Sequence, residues 1–177
     1  MHRVYVALQD IKADKITVSN KKDAHHLKDV LQLKAGEKIA AFDEKGNEYA
    51  CVIEEIGDKV TLGIKERRLS RKRKGAFTIT VACAIPKNSR FDDIVDKLTQ
   101  LGVDKIIPLE TERGVVKIGK DKEAMRIERW RKIAQSASCQ SQRNTIPVVD
   151  CLKDVKEVLA GAKEYDLKLI PILQGER

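Results

Sequence analysis

The rhythm of apolar and polar positions changes near residue 70. Before it, short runs alternate with period two: "RVYVAL" (3–8), "KITVS" (15–19), "EKIAAFDEKGNEYACVIEE" (37–55) and "DKVTLGIK" (58–65). Such alternation predicts half-buried strands. The third run reads as a hairpin whose turn, Glu44-Lys45-Gly46-Asn47, offers a glycine where a positive φ is needed. One helix interrupts the strands. In "DAHHLKDVLQL" (23–33), Ala24, Leu27, Val30 and Leu31 share a face, Asp23 is the expected N-cap and Gly36 the stop. Several short strands around one helix predict a small barrel.

After residue 76 strands and helices alternate. "FTITVACAI" (77–85) is almost continuously apolar and predicts a strand buried on both faces. A helix follows over 90–101, with Phe91, Ile94, Val95, Leu98 and Leu101 as its apolar set, Ser89 as cap and Gly102 as terminator. Then come strand "KIIPL", a long helix over 121–142, strand "TIPVV", helix "LKDVKEVLAGA" and strand "DLKLIPIL". This alternation predicts an α/β layer with a mostly parallel sheet. The expected division is a barrel over 1–70 and an α/β domain over 76–177. The last apolar strand ends four residues before the end of the sequence, so the second domain is expected to be incomplete.

Composition narrows the chemistry. Hydrophobic residues make up 42% and aromatics 4%, which implies an aliphatic core. The four cysteines form no CxxC and there are three histidines, so no metal site is expected. Cys51 and Cys83 fall in strand patterns and read as buried reduced thiols. No apolar run is long enough to span a bilayer, and the N-terminus lacks the apolar core of a signal peptide. A soluble cytoplasmic protein, without membrane partners, is the expectation. Net charge is +8, and residues 1–65 balance 11 basic against 11 acidic side chains, so the whole excess falls on 66–177. Six positive charges stand in "RRLSRKRK" (67–74): Arg67, Arg68, Arg71, Lys72, Arg73 and Lys74. Concentrated positive charge fits either a polyanionic partner or a solvated linker.

No GxGxxG and no P-loop is present. His25 and His26 are adjacent, so one is expected to pack and the other to face solvent. Lys87 and Arg90 follow the first α/β strand and Arg113 the second, at the carboxyl ends where open α/β sheets bind ligands. Gln140, Arg143 and Asn144 lie in "SCQSQRNTIPVV" (138–149), which precedes the third strand. That loop is therefore expected at the opposite end, unless a neighbouring subunit brings it across. All of these residues could equally cap helices and pair with one another.

Together, "HHLKDVLQLKAGEKI", "PKNSRFDDIVDKLTQLGVDKIIPLETERGVVK" and "RIERWRKIAQSASCQSQRNTIPVV" resemble the RsmE-type 16S ribosomal RNA uridine N3-methyltransferases. The resemblance covers the chain in order. It implies a PUA-like RNA-binding barrel followed by a SPOUT-type methyltransferase domain with S-adenosylmethionine as cofactor. It also implies 16S ribosomal RNA or the small subunit as partner, and a homodimer. The family's Gly-rich cofactor loop and knot segment would begin just past "LIPILQGER", which leaves Leu173 and Gln174 as remnants of a cofactor wall. Gln100 stands where the family favours Glu, and Cys139 and Gln142 where Glu and Gly are common. The implied reaction moves a methyl group to N3 of a uridine. Arg143 and Arg113 are the candidates to stabilise charge on the uracil carbonyls, and His26, Lys87, Arg90, Gln140, Asn144 and the basic run are candidate RNA contacts. The alternative is a non-catalytic RNA-binding module.

Overall fold

A computed structural model describes residues 1–70, 77–87, 90–112, 114 and 116–171. Arg71, Lys72, Arg73, Lys74, Ser89, Arg113, Leu173 and Gln174 lie outside the described residues.

The N-terminal part is one six-stranded sheet. Its strands are β1 (Arg3–Tyr5), β2 (Ile11–Lys12), β3 (Lys15–Val18), β4 (Lys38–Phe42), β5 (Glu48–Ile56) and β6 (Val60–Arg68), in the order β1-β4-β5-β6-β3-β2. All pairings are antiparallel except β1 with β4. Alternate side chains point inward as the period-two pattern requires: Ile39 and Ala41, Tyr49, Cys51 and Ile53, Val60 and Leu62 share one core with Val4, Val6, Ile16 and Val18. Because residues from both ends of the sheet meet there, the sheet is rolled. Leu27 and Ala24 fill its mouth.

Helix α1 (Lys21–His25) differs from the expectation. Asn20, not Asp23, caps it, its Oδ1 accepting from the Lys22 amide at 3.0 Å. One wider π-turn, His26–Val30, continues it. The changed pitch leaves Val30 59% exposed while Leu27 stays buried. His25 and His26 are both exposed, so neither packs. His25 instead pairs with Asp29 one turn on, at 2.6 Å. The hairpin turn is as expected: Gly46 has φ +80°. Strand β6 runs on into the basic stretch as far as Arg68. Glu48 of β5 stands opposite it, and opposite charges across a ladder favour the extension.

The second sheet is wholly parallel. Strand β7 (Thr80–Ala84) pairs with β8 (Lys105–Glu110), and the other edge of β8 takes β9 (Val148–Val149) and then β10 (Lys153–Asp154). Helices α2 (Arg90–Leu101) and α3 (Lys120–Gln140) cover one face. Phe91, Val95, Ile106, Trp130 and Ala134 form that core, with the Phe91 and Trp130 rings 4.5 Å apart. Gly102, φ +99°, ends α2 as expected. Leu101 is 78% exposed, against expectation. At about 100° per residue it lies roughly 80° round the helix from Phe91. Thr99 takes the buried position, its hydroxyl donating to the Val95 carbonyl at 2.7 Å.

Two further expectations fail on the other face of this sheet. Ala82 and Ala84 of β7 are exposed, so the strand is buried on one side only. Residues 166–171 form no strand; Leu167, Leu169 and Ile170 are 74–80% exposed beside Thr80, Ala82, Ile107 and Leu109. A short helix, α4 (Val155–Ala160), borders the same groove. Among the described residues nothing covers this groove. Pairing "LKLIP" into the ladder would bury one apolar face and leave the other in water, and Pro171 has no N–H to donate.

Candidate nucleic-acid interface

The two sheets meet through the polar loop after α3. Helix α3 ends with Ser141 as its cap, and Gln142 takes a left-handed φ of +59°. The chain then turns so that the Arg143 amide donates back to the Ser138 carbonyl at 3.0 Å. This turn points Arg143 at the end of α2. Its Nη1 donates to the carbonyls of Thr99 at 2.6 Å and Val103 at 3.0 Å, and its Nη2 to Thr145 Oγ1 at 3.3 Å. The carbonyls at a helix C-terminus lack intrahelical partners, and a guanidinium satisfies them well. Burial presses the Arg143 pKa below the usual arginine range, opposed by Asp104 at 3.9 Å. Arg143 therefore ties α3 to α2. Both N–H groups of Nη1 are spent on the two carbonyls, which fixes the guanidinium against the end of α2.

Asn144 is also engaged. Its side-chain oxygen accepts from Nη2 of Arg3, on β1, while Arg3 Nη1 donates to Glu48 at 3.1 Å. The hairpin turn closes on the same point: a Cβ on Gly46 would lie 3.2 Å from the Asn144 carbonyl oxygen and 3.0 Å from Ser70 Oγ. So much hydrogen-bonding capacity in residues 138–145 joins the two sheets and closes two helix ends. Gln140, by contrast, is exposed.

Lys87 and Arg90 are exposed, beyond the carboxyl end of β7. Gln140, Arg143 and Asn144 sit at the opposite end, since β9 runs parallel to β8 from its first residues. Within one chain these two sets are not brought together. Arg67 and Arg68 are partly paired rather than free. Arg67 donates to the Ala13 carbonyl and lies 3.4 Å from Asp14, while Arg68 forms two bonds with Glu66 at 2.9 and 3.1 Å. His26 lines a cleft of about 290 Å³ between the first sheet and α3, a site that the sequence patterns alone did not show because its walls come from residues over a hundred positions apart.

The fit to S-adenosylmethionine is partial. The groove beside β7 and β8 presents an apolar wall of Ala82, Ile107, Leu109 and Leu159, with Tyr165 and Lys168 among its polar members. A zwitterionic methionine and an adenine edge need more donors and acceptors than that. The described residues therefore do not form a closed cofactor site. Cys51 is buried and its thiol pushed up to about 11 by burial, which makes it a packed, unreactive group. Among the described residues no cluster of three metal-ligating side chains occurs, and no helix is long and apolar enough to cross a membrane.

Comparison with known proteins matches these two halves in the same order. Residues 13–64 match the RNA methyltransferase PUA domain, and residues 73–177 match the RNA methyltransferase domain. Ribosomal RNA small subunit methyltransferase E of Bacillus subtilis is 30% identical over 145 residues, 81% of this chain and 56% of that protein. Its namesake in Rickettsia conorii is 28% identical over 180 residues, 98% of this chain and 71% of that protein. The structure of ribosomal RNA small subunit methyltransferase E from Neisseria gonorrhoeae bound to S-adenosyl methionine superposes with a TM-score of 0.77 at 29% identity. That superposition covers 90% of this chain and 65% of that one. The chain thus spans a little over half the length of the Bacillus relative. The fold class is a PUA-like partial barrel followed by a parallel α/β layer of SPOUT type. On the match over residues 73–177, the chain belongs to the RNA methyltransferase family.

Proposed function

We propose that this chain is part of a methyltransferase that uses S-adenosylmethionine to methylate N3 of a uridine in 16S ribosomal RNA. The observation that carries this is the fold, shared over 90% of the chain at a TM-score of 0.77 with a protein named for small-subunit ribosomal RNA and solved with that cofactor. The cofactor supplies the electrophilic methyl group. The protein must hold the uracil in line with it and favour departure of the N3 proton. Lys87 and Arg90 are the proposed RNA contacts at the carboxyl end of the parallel sheet, and Arg113, which follows β8 in the sequence, is proposed to stabilise charge on the uracil carbonyls or to hold phosphate. Gln140, His26 and the basic run 67–74 are proposed contacts elsewhere. Arg143 acts by tying α3 to α2, and Asn144 by fixing the sheets relative to each other. The two ends of the parallel sheet face apart in one chain, which supports a homodimer in which one subunit's loop 140–144 approaches its partner's carboxyl end. Residues 1–70 and 76–177 are proposed to be separate folding units, each with its own core, in a cytoplasmic protein.

A second reading, a non-catalytic RNA-binding module, is favoured by the open groove beside β7. Complementation distinguishes the two. In cells lacking the gene, 16S ribosomal RNA should lose N3-methyluridine, and the full reading frame should restore it. Unchanged N3-methyluridine on deletion would remove the enzymatic reading.

A further inference from the structure

Helix α3 carries a charge pattern that its packing does not require. At about 100° per residue, Lys122, Arg126, Arg129, Lys132, Ser136 and Gln140 fall within about 120° of one another around the axis, over roughly 27 Å at about 1.5 Å per residue. The other two residues of that sector, Met125 and Ile133, are apolar, so it holds no carboxylate. Asp121, Glu123 and Glu128 of the same helix fall outside it. All four cations are exposed. A helix face that is merely solvated interleaves the two signs, whereas this one sorts them. An open trough of about 1010 Å³ runs along the stripe, shared with Asp92 of α2. Lys132 and Ser136 also line the smaller cleft against the first sheet, to which α1 contributes Lys22. The partners these cations already have leave them able to bind an anion. Lys132 pairs with Glu128 at 3.2 Å, both side chains more than half exposed, and water screens such a pair. Arg129 donates to Asp92 through Nε and Nη2 at 2.9 and 2.6 Å, which aims the guanidinium and leaves Nη1 without a partner among the described residues. Topology gives the stripe its direction. Helix α3 leaves the carboxyl end of β8 and returns to its amino end, where β9 begins opposite Lys105. The stripe therefore joins the end that holds Lys87 and Arg90 to the end that holds Gln140.

We propose that the phosphodiester backbone of a single RNA strand lies along this stripe, with its phosphates on Lys122, Arg126, Arg129 and Lys132, and that Lys22 of α1 extends the track onto the first sheet. A row of like charges repeated along a helix fits a polymer that carries one negative charge per nucleotide. The contacts are to phosphate, so they fix the path of the strand and carry no base preference. The inference rests on the RNA reading given above, and adds the route by which one strand passes from the carboxyl end of the parallel sheet to the barrel.

The test is anisotropy titration of this chain with labelled single-stranded oligouridine at several salt concentrations. Lys122→Gln/Arg126→Gln should weaken binding about tenfold at roughly 0.1 M salt and make the salt slope shallower by roughly 1.4, the value for two single-strand phosphate contacts. Lys122→Arg/Arg126→Lys keeps both charges and should keep the slope. Lys156→Gln/Lys163→Gln removes the same net charge from exposed positions on and beside α4, across the parallel sheet from α3, and should leave the slope unchanged. An unchanged slope for Lys122→Gln/Arg126→Gln, or an equal loss from Lys156→Gln/Lys163→Gln, would overturn the track while leaving RNA binding intact. If oligouridine did not bind the unsubstituted chain at low salt, the RNA reading would fall and the track with it.

Discussion

Arg143 shows how a residue's chemistry and its contacts can diverge. As a sequence feature it is a cation in a loop of amides, suited to a nucleotide. In the fold it closes the carbonyl end of α2 across 44 and 40 positions of sequence, a separation that no local pattern reveals. Arg143→Ala should therefore lower the free energy of unfolding by about 1.5–3 kcal/mol, the range for hydrogen bonds to a charged donor. Urea denaturation measures this. Unchanged stability with abolished methylation would return Arg143 to the RNA. Asp150 makes a second residue-level prediction. Burial raises its pKa, but bonds from Lys105 and Lys153, each at 3.0 Å, outweigh that and hold the carboxyl below the usual aspartate range. The stability it contributes is fully present above its unfolded pKa of roughly 3.9 and is lost as pH falls through the lower folded value. Asp150→Asn should lower Tm at pH 7, and the difference from the unsubstituted chain should shrink steadily below pH 4. A difference that grew on acidification would contradict the pairing.

At the scale of elements, two turns carry opposite predictions. Gly46, φ +80°, packs under Ser70 and Asn144, so Gly46→Ala should destabilise by about 1–2 kcal/mol from the left-handed backbone alone, and more from the contact. Gln142 has φ +59° without being glycine. Gln142→Gly should be neutral or stabilising by roughly 0.5 kcal/mol, the left-handed strain relieved less the entropy glycine loses. Thermal denaturation of the two variants side by side reads both signs. Most elements were legible from rhythm: every strand of the first sheet except the two-residue β2, the hairpin glycine, α2 with its Gly102 stop, and β8. What escaped has physical causes. Asn20 displaced Asp23 as cap because the helix starts three residues earlier than its apolar face. The π-turn that exposes Val30 leaves no mark in an apolar pattern. "FTITVACAI" read as a doubly buried strand and "DLKLIPIL" as a strand because apolar content reports what a segment could bury, whereas burial depends on what is packed against it.

For the whole molecule, the sequence pattern separated two architectures but not their junction. Arg3, Glu48, Gly46 and Asn144 come from three distant stretches, and only the fold shows them meeting. The site is half legible for the same reason. The basic run and the carboxyl-end residues could be named from composition and topology, while the cleft behind Arg3 could not. The open groove beside β7 leads to a binding prediction. Isothermal titration of S-adenosylmethionine into this 177-residue chain should show weak or no binding, because the described residues give one apolar wall and few polar partners. Micromolar affinity would show that the cofactor is held elsewhere.

The reaction proposed for the protein is methyl transfer to uridine N3 in 16S ribosomal RNA. The most direct measurement uses the full reading frame, S-adenosylmethionine and undermethylated small subunits, followed by nucleoside mass spectrometry of the digested RNA. N3-methyluridine should form once per 16S molecule and be absent without cofactor. Methyl groups found only at another atom, or no transfer by a folded and cofactor-bound enzyme, would contradict it.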